Sequence, residues 1–266
     1  MALKFCSLSS GSSGNCQYIE TRKTRVIIDA GFSGKRVEEL LSSMEVDPST
    51  IDAILVTHEH IDHTRGVGVL SRRYNIPIYA NSGTWMGMEK GIGKIREGNI
   101  KVFTTESFFE LGDLTVYPLG IFHDAQDPVG YIFYYKNKKV SVVTDTGWVN
   151  DNMMDKIKGS HLYLIESNHD VKMLKEGSYP WPLKQRILST RGHLSNDDCG
   201  RILGQILGGS GEVVILGHLS KDNNRPDLAF NTVRANLESL GLDTKKDIAL
   251  NLSHRDCRTD IFHLSV

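Results

Sequence analysis

The stretch AILVTHEHIDH, residues 53–63, joins an apolar run to a cluster of polar side chains. The run AILV predicts a buried strand, and the six residues after Thr57 contain four potential metal ligands: His58, His60, Asp62 and His63. Because side chains alternate along a strand, His58 and His60 point the same way as the strand ends. Buried histidine and aspartate each need polar partners, so packing alone does not explain this cluster. The stretch therefore predicts metal ligands at the edge of a sheet.

Three further apolar runs also end at a histidine or an aspartate. His123 follows TVYPLGIF, Asp145 follows VSVVT, and His218 follows EVVILG. Taken singly, each of these residues is more often a helix cap or a core residue than a ligand. Together with the cluster at 58–63, they indicate a metal site that several strand ends complete.

The remaining apolar patterns predict a layered α/β fold. Strands are expected over residues 3–7, 18–20, 25–29, 51–57, 114–122, 131–135, 140–144, 162–165 and 213–216. Helices are expected over 35–44, 62–74, 196–207 and 226–240. This mixture favours two packed sheets with helices outside them. With 266 residues and no linker-like segment, one domain over residues 1–266 is expected.

Composition restricts the class of protein. No apolar run approaches the roughly 18 residues of a membrane span, so no membrane partner is expected. The net charge of −1 gives the whole chain no attraction for nucleic acid, so a polyanion must bind a local patch. Four scattered cysteines and the lack of a signal-like N-terminus favour the cytoplasm.

Five motifs occur in a fixed order along the chain. They are IIDAG with Asp29, HEHIDH, FHDAQDPVG with His123, TDTG with Asp145, and LGHLS with His218. This order resembles that of the metallo-β-lactamase-fold hydrolases and covers residues 29–218. The resemblance implies an α/β fold, a four-layer αββα sandwich.

The resemblance also implies a site for two divalent metal ions, Zn²⁺ or Mn²⁺. The ligands it implies for one ion are His58, His60 and His123, and those for the other are Asp62, His63 and His218. Asp145 is implied to bridge the two ions. Asp29 is implied to support the site without binding metal.

Gly-His-Leu-Ser occurs twice, in RGHLSNDD (191–198) and in LGHLSKDN (216–223). The second copy follows a buried strand and holds the last implied ligand. The first precedes a predicted helix and resembles a motif of nucleolytic family members, in which a histidine assists departure of the leaving oxygen. His193 is therefore a candidate proton donor or phosphate contact, or else a helix-start residue satisfied by a nearby carbonyl. Ser195 is a plausible N-cap.

The segment ESNHD, residues 166–170, follows another apolar run. Glu166 either orients His193 or binds a further cation, and the alternative is a capping turn in which Asp170 starts a helix. His169 is a candidate substrate contact at the same sheet edge. The candidate catalytic residues are Asp62, His193 and Glu166.

Two segments are candidates for phosphate binding. The run SSGSSGN, residues 9–15, offers backbone N–H groups and hydroxyls, or is simply a tight turn between strands. A basic strip before His193, with Trp181 nearby, contacts a phosphate backbone or is a solvated face. The candidate substrate-binding residues of these segments are Ser10, Ser12, Asn15, Lys184, Arg186 and Arg191.

The motifs SGSSGN, TDTG, ESNHD and GHLSN together resemble the WalJ/YycJ-like subgroup of this family. That resemblance implies a metal-dependent phosphodiesterase, an exonuclease that degrades DNA from the 5′ end, with DNA favoured over RNA and DNA repair as its setting. Two alternatives stay open. One is a small-molecule phosphodiesterase or a thioester or lactone hydrolase of the same fold, and the other is a metal-binding regulatory module without turnover.

Overall fold

The structure is a computed structural model that describes residues 2–244 and 246–266. The described residues form two seven-stranded sheets. The strands of the first sheet are β1 (Ala2–Ser9), β2 (Cys16–Glu20), β3 (Arg25–Ile28), β4 (Ala53–Leu55), β5 (Ile78–Asn81), β6 (Ile100–Phe103) and β14 (Phe262–Ser265). Their order is β14-β1-β2-β3-β4-β5-β6. Pairing is antiparallel from β14 to β3 and parallel from β3 to β6.

The second sheet has a similar division between antiparallel and parallel pairing. Its strands are β7 (Phe109–Leu111), β8 (Leu114–Gly120), β9 (Val129–Tyr135), β10 (Lys138–Val143), β11 (Leu162–Glu166), β12 (Glu212–Gly217) and β13 (Ile248–Leu252). Their order is β13-β12-β11-β10-β9-β8-β7. Pairing is antiparallel from β7 to β10 and parallel from β10 to β13.

Nine α-helices connect the strands in the described part of the chain. They are α1 (Gly34–Ser42), α2 (Ile61–Thr64), α3 (Val67–Tyr74), α4 (Ser82–Ile92), α5 (Asp151–Ile157), α6 (Val171–Glu176), α7 (Trp181–Ile187), α8 (Asn196–Ile206) and α9 (Pro226–Ser239). Two 3-10 turns span Pro48–Thr50 and Glu97–Asn99. Among the described residues, no helix is both long and apolar enough to cross a membrane.

Three buried apolar clusters separate four layers. One lies between the two sheets and contains side chains such as Phe5, Ile28 and Phe133. A second packs α1, α3 and α4 on the first sheet, and a third packs α5, α8 and α9 on the second. Because each sheet buries both faces, its central strands are apolar on both sides. The predicted αββα sandwich is confirmed.

Most of the predicted elements are present, but the helix predicted over 62–74 is broken in two. Gly66 separates α2 from α3, and its N–H donates to the carbonyl of Ala30 at 2.7 Å. A Cβ at Gly66 would lie 2.5 Å from the carbonyl oxygen of Phe32, so the break lets this backbone approach the end of β3. The prediction also missed β5, β6, β7, β13 and β14, whose segments are short or partly exposed.

The C-terminal segment closes the first sheet beside the turn between β1 and β2. Strand β14 pairs with β1, with Ala2 opposite Ser265. The residues before β14 reach the turn itself. Ser10 N donates to the carbonyl of His254 at 3.0 Å, and the Ser9 hydroxyl donates to the carbonyl of Arg255 at 2.6 Å. The last part of the chain therefore supports its first turn.

Candidate metal centre

The segment 58–63 leaves the carboxyl end of β4 and turns into α2. Its backbone is held against neighbouring loops, because the carbonyl of Asp62 accepts a hydrogen bond from Asn15 N at 2.8 Å. A Cβ at Gly31 would lie only 1.7 Å from the same carbonyl oxygen. Only glycine permits so close an approach. The ligand-rich segment is thus fixed by the ends of two other strands.

Three histidine side chains converge at this edge. Nε2 of His58 and Nδ1 of His60 are 3.1 Å apart. The ring centroid of His123, which follows β8, lies 5.0 and 5.1 Å from those of His58 and His60. One nitrogen of each ring lies within 4.8 Å of the others, so these three residues could hold one metal ion.

The Asp145 carboxylate lies at the centre of the remaining candidates. Its Oδ2 is 3.5 Å from His63 Nε2, and its Oδ1 is 3.3 Å from His218 Nε2 and 4.0 Å from His123 Nε2. Asp62 Oδ2 is 3.7 Å from His63 Nε2. The structure therefore brings all seven predicted ligands to one edge, with Asp145 between the two groups.

A metal ion fits this donor set. Among the described residues, Asp145 Oδ2 and His218 Nε2 are buried and have no hydrogen-bond partner. A buried polar atom without a partner costs roughly 1–3 kcal/mol, and a divalent cation bound by these residues would remove that cost. Mixed imidazole and carboxylate donors suit divalent transition metals. The site is therefore built for divalent metal binding.

The charges of the buried side chains also favour a bound cation. Burial lowers the pKa of His63, but the carboxylates of Asp29 and Asp145 outweigh it and raise the pKa to about 10. Burial also opposes protonation of His218, yet Asp145 and Glu166 raise its pKa to about 9. These buried carboxylates require positive charge beside them. A metal ion supplies that charge by competing with protons for the same nitrogen atoms.

Asp29 supports His63 as the family resemblance implies. Its Oδ2 is 2.7 Å from His63 Nδ1 and accepts from the Thr57 hydroxyl at 2.8 Å, while Oδ1 accepts from Thr57 N at 2.8 Å. A carboxylate on Nδ1 leaves Nε2 as the ligating nitrogen of a histidine. Asp29 therefore fixes the orientation of the His63 ring through Nδ1.

Glu166 has the same role for two histidines at once. It is fully buried, and its Oε1 lies 2.8 Å from His193 Nδ1 and 2.7 Å from His218 Nδ1. Its Oε2 accepts from Thr146 N at 2.7 Å. These contacts favour orientation of His193, although Glu166 also belongs to a group with Asp145, His193 and His218 that could hold a metal ion. The capping turn is present as well, because Asp170 accepts from Met173 N at 2.7 Å at the start of α6. Glu166 is not among the described residues that line the cleft, so it acts through the two histidines instead of touching a substrate.

The turn 9–15 joins β1 to β2 and also forms one wall of the site. The hydroxyl of Ser10 accepts from His218 N at 2.9 Å. Nδ2 of Asn15 is 3.0 Å from His63 Nε2. Ser12 is exposed and lines the cleft. The run is therefore a tight turn that brings polar groups to the ligands, and its binding of phosphate stays a prediction.

The backbone is strained at three of the strand ends that form the site. Asp29, Asp145 and His218 have φ angles of 60°, 57° and 55°. Residues other than glycine adopt this left-handed conformation at a cost of about 1–3 kcal/mol each. Such strain persists where the surrounding structure enforces it, and it is concentrated at functional sites. The sequence contained no signal for it.

The predicted basic strip reaches the site through two arginines. Arg186 lines the cleft and forms an ion pair with Asp124. Nε of Arg191 donates to the carbonyl of His123 at 3.1 Å, so Arg191 braces the loop that carries a ligand.

Five of the seven predicted substrate contacts are not among the described residues that line the cleft: Ser10, Asn15, His169, Lys184 and Arg191. Lys184 is buried, and its Nζ donates to the carbonyls of residues 175 and 177 at 2.7 and 2.6 Å. His169 is also buried, neither of its ring nitrogens has a hydrogen-bond partner among the described residues, and burial lowers its pKa to about 4. Neither residue is among the described residues that line the cleft, so the geometry does not support their predicted contact with substrate.

The cleft beside the ligands has a volume of about 470 Å³ and includes residues that the sequence analysis missed. Ser13 lies on the turn 9–15, and Ile61 and Arg65 belong to the stretch that follows His60. Arg65 is exposed and places a second guanidinium at the cleft. Its only sequence signal was a cation two residues after the last ligand of HEHIDH.

Comparison with known proteins agrees with this site and fold. The sequence matches the metallo-beta-lactamase superfamily over residues 10–230. It is 43% identical to "Exodeoxyribonuclease YycJ" of Bacillus anthracis over 91% of both chains. It is 42% identical to "Exodeoxyribonuclease WalJ" of Streptococcus pneumoniae over 98% of both. The crystal structure of the metallo-beta-lactamase fold protein YhfI from Bacillus subtilis is similar with a TM-score of 0.72 and 16% identity, over 99% of this chain and 100% of that one. The chain therefore belongs to the metallo-beta-lactamase superfamily, in the same family as YycJ and WalJ, and is a metal-dependent hydrolase.

Proposed function

We propose that this protein is a phosphodiesterase with two metal ions that degrades DNA from the 5′ end. The position of His193 is the main observation that supports this proposal. Its ring centroid lies 5.2 Å from that of His123 and 5.1 Å from that of His218, although it is not needed to complete either ligand group. Hydrolysis of a phosphodiester requires a proton for the leaving oxygen, and a histidine beside the metal ligands can supply it.

The two ions would be held by the two ligand groups on either side of Asp145. One group is His58, His60 and His123, and the other is Asp62, His63 and His218. Two such ions, Zn²⁺ or Mn²⁺, supply a hydroxide at neutral pH and stabilise the charge that develops on a phosphate. Asp145 lies beside members of both groups, His123 in one and His63 and His218 in the other, and would contribute a carboxylate to the metal site.

The protein's own groups position the substrate and move the proton. Because Glu166 holds Nδ1 of His193, Nε2 is the nitrogen that reaches a leaving oxygen. Arg186 on one wall and Arg65 on another offer guanidinium groups to non-bridging phosphate oxygens. The hydroxyl of Ser12 lies on the same cleft. These contacts suit a charged diester better than a neutral thioester or lactone.

DNA is the proposed substrate because two relatives that are 43% and 42% identical over nearly their whole length are named exodeoxyribonucleases. We also propose that residues 1–266 act as one domain. A role in DNA repair stays a prediction.

The test is cleavage of linear duplex DNA labelled at the 5′ or the 3′ end, with Mn²⁺ or with Zn²⁺. Wild type is compared with His193→Ala and Asp145→Ala, and metal content is measured for each. We expect wild type to release the 5′ label first. Loss of a general acid typically reduces the rate about 10²–10⁴-fold, so His193→Ala should lose activity and keep its metal. Asp145→Ala should lose both.

Other substrates separate the alternatives. The same sequence as RNA tests the preference for DNA, and bis(p-nitrophenyl) phosphate tests general diesterase activity. Hydrolysis of the small diester without DNA cleavage would make the protein a small-molecule phosphodiesterase. Full activity of His193→Ala on DNA would show that His193 is not the proton donor.

A further inference from the structure

Two loops carry the proposed proton donor and the last ligand, and each contains one copy of Gly-His-Leu-Ser. The donor loop is residues 192–196 and ends at Asn196, and the ligand loop is residues 217–224 and ends at Asn224. Both contact the segment 166–168 at the end of β11. The proposed function gives a role to the histidine of each copy and none to the asparagine that ends each loop.

The two terminal asparagines form a reciprocal pair of hydrogen bonds. Nδ2 of Asn196 donates to Oδ1 of Asn224 at 3.0 Å, and Nδ2 of Asn224 donates to Oδ1 of Asn196 at 2.9 Å. Both residues are buried, with exposed fractions of 0% and 4%. This amide pair therefore joins the end of the donor loop directly to the end of the ligand loop.

We propose that the Asn196–Asn224 amide pair is a positioning device that fixes His193 relative to His218. Neither asparagine is among the described residues that line the cleft, so the pair acts through the two loops. The inference rests on the proposed function, because His193 must reach a leaving oxygen beside the metal ions.

The shared carboxylate of Glu166 does not by itself fix both rings. Its Oε1 accepts from Nδ1 of His193 at 2.8 Å and from Nδ1 of His218 at 2.7 Å. A ring held through one atom can still pivot about that atom, so the position of each Nε2 also depends on the backbone that carries the ring. The ring centroids lie 5.1 Å apart. This separation is therefore set by the relative position of the two loops.

The ligand loop is also held independently of the amide pair. Nδ2 of Asn168 donates to the carbonyl of His218 at 2.8 Å, and Ser220 N donates to the carbonyl of Asn168 at 2.8 Å. The Ser10 hydroxyl accepts from His218 N, and a bound metal ion would hold the His218 ring. The ligand loop is thus the fixed reference for the pair.

The donor loop has weaker support at its histidine, which binds no metal ion in the proposed function. His193 N donates to the carbonyl of Ile187 at 3.0 Å, and Asn168 N donates to the carbonyl of Leu194 at 2.9 Å. The His193 side chain is 20% exposed, compared with 2% for His218. Loss of the amide pair should therefore loosen His193 more than His218.

The surroundings of the amide pair favour a single arrangement. Nδ2 of Asn224 also donates to the carbonyls of Ser167 and Asn168, each at 2.9 Å, and the Ser167 hydroxyl donates to Oδ1 of Asn196 at 2.7 Å. The side-chain nitrogen and oxygen of each asparagine thus all have partners. Buried polar networks in which every group is satisfied are rigid and specify one arrangement. The pair is therefore suited to holding two loops at a fixed distance.

The test removes the amide pair from either side. Asn196→Ala and Asn224→Ala are compared with wild type, with His193→Ala and with the double variant of His193 and Asn196. Asn196→Asp is a milder change, because it keeps the size of the side chain and removes only its donor. Asn99→Ala is the matched control, since Asn99 is also buried, donates from Nδ2 to Oδ1 of Asn75 at 3.2 Å and precedes β6, at the end of the sheet away from the ligands.

Metal content, kcat and KM are measured for each variant, on linear DNA and on bis(p-nitrophenyl) phosphate. The nitrophenolate leaves as a stabilised anion, whereas the alkoxide of DNA needs a proton. A misplacement of about 1 Å can reduce a rate about 100-fold, so kcat on DNA should fall about 10- to 100-fold in Asn196→Ala and in Asn224→Ala. Metal content, KM and hydrolysis of the small diester should match wild type, as should every property of Asn99→Ala.

The double variant distinguishes positioning from a general loss of structure. In the His193→Ala background, Asn196→Ala should lower kcat on DNA by less than about twofold, because effects of residues that act as a unit do not add. Losses of the same factor with and without His193, or equal losses on both substrates, would overturn the inference. Unchanged kcat on DNA in Asn196→Ala, Asn224→Ala and Asn196→Asp would overturn it as well.

Nuclear magnetic resonance of protein labelled with ¹⁵N-histidine tests the amide pair without DNA. In Asn196→Ala, the Nδ1–H of His193 should exchange with solvent at least about tenfold faster than in wild type, because the donor loop opens locally, while that of His218 stays unchanged. This result in a protein that leaves DNA intact would support the amide pair and refute the proposed exonuclease. Equal exchange in wild type and variant would refute the pair even where DNA is cleaved.

Discussion

Glu166→Gln should inactivate the enzyme although the substitution changes one atom. Both carboxylate oxygens of Glu166 act as acceptors, Oε1 for His193 and His218 and Oε2 for Thr146 N. An amide has only one acceptor oxygen. With its NH₂ group toward Thr146, two N–H donors face each other inside a fully buried site. With its NH₂ group toward the histidines, both rings must give up their Nδ1 protons.

The second orientation is the more damaging one for the site. Histidine that loses its proton at Nδ1 and stays neutral carries it at Nε2, which is the atom of His218 that lies beside Asp145. A protonated nitrogen cannot bind metal. In either orientation Glu166 loses hydrogen bonds to charged groups, which contribute about 1.5–3 kcal/mol each. A loss of about 3 kcal/mol corresponds to roughly 100-fold in rate.

The assay compares DNA degradation and bound metal in Glu166→Gln, Glu212→Gln and wild type. Glu212 is a matched control, because it is also buried and its carboxylate accepts from Gly208 N at 2.7 Å and Ser210 N at 2.6 Å. It lies at the start of β12, and His218 follows the end of that strand. We expect Glu212→Gln to lose stability and to keep its activity per folded molecule. Activity of Glu166→Gln within twofold of wild type would refute the orienting role of Glu166.

Three other perturbations test the construction of the site. Asp29→Asn removes the carboxylate behind His63, and loss of such a partner typically weakens metal affinity about 10–100-fold, which metal titration of the purified variant would measure. Gly31→Ala should lower both the midpoint of thermal unfolding and the metal content, since its Cβ would lie 1.7 Å from the Asp62 carbonyl oxygen. Gly98→Ala is the control and should alter neither quantity, because a Cβ there meets no atom within 4 Å. Chelation should lower the unfolding midpoint of wild type, because a ligand at 100 times its Kd stabilises a fold by about 2.7 kcal/mol. Mn²⁺ or Zn²⁺ should restore the midpoint in wild type and not in Asp145→Ala, and an identical midpoint with and without chelator would contradict a structural contribution of the metal.

Several of the predicted ligands are visible in the sequence because they follow apolar runs. Asp145 and His218 follow strands that are buried on both faces, so their periodicity and their polar ends are both visible. The positions of the ligands in space were then implied by the family resemblance. His58 follows β4 of the first sheet, whereas His123 follows β8 of the second. Alternation along β4 therefore could not by itself predict that these two rings lie close together.

The sequence could not predict the orientation of individual side chains or the pairing of segments that are far apart in the chain. Lys184 belongs to the same basic strip as Arg186, but the rotation of α7 turns it toward backbone carbonyls. The strand FHLS of β14 is partly exposed, and its partner β1 lies at the other end of the sequence. That Glu166 binds two histidines through one oxygen also follows only from the packing of β11 beside β12.

The support that the C-terminal segment gives to the first turn has a consequence during protein synthesis. A ribosome-bound chain that has reached residue 230 already carries every candidate ligand, since these lie between residues 58 and 218. It still lacks the carbonyls of His254 and Arg255, which hold the turn that contacts His63 and His218. Pairings between distant parts of a chain form late, so we expect nascent chains to acquire metal only when the last strand joins the sheet. A nascent chain without these carbonyls would then hold no metal and have no nuclease activity.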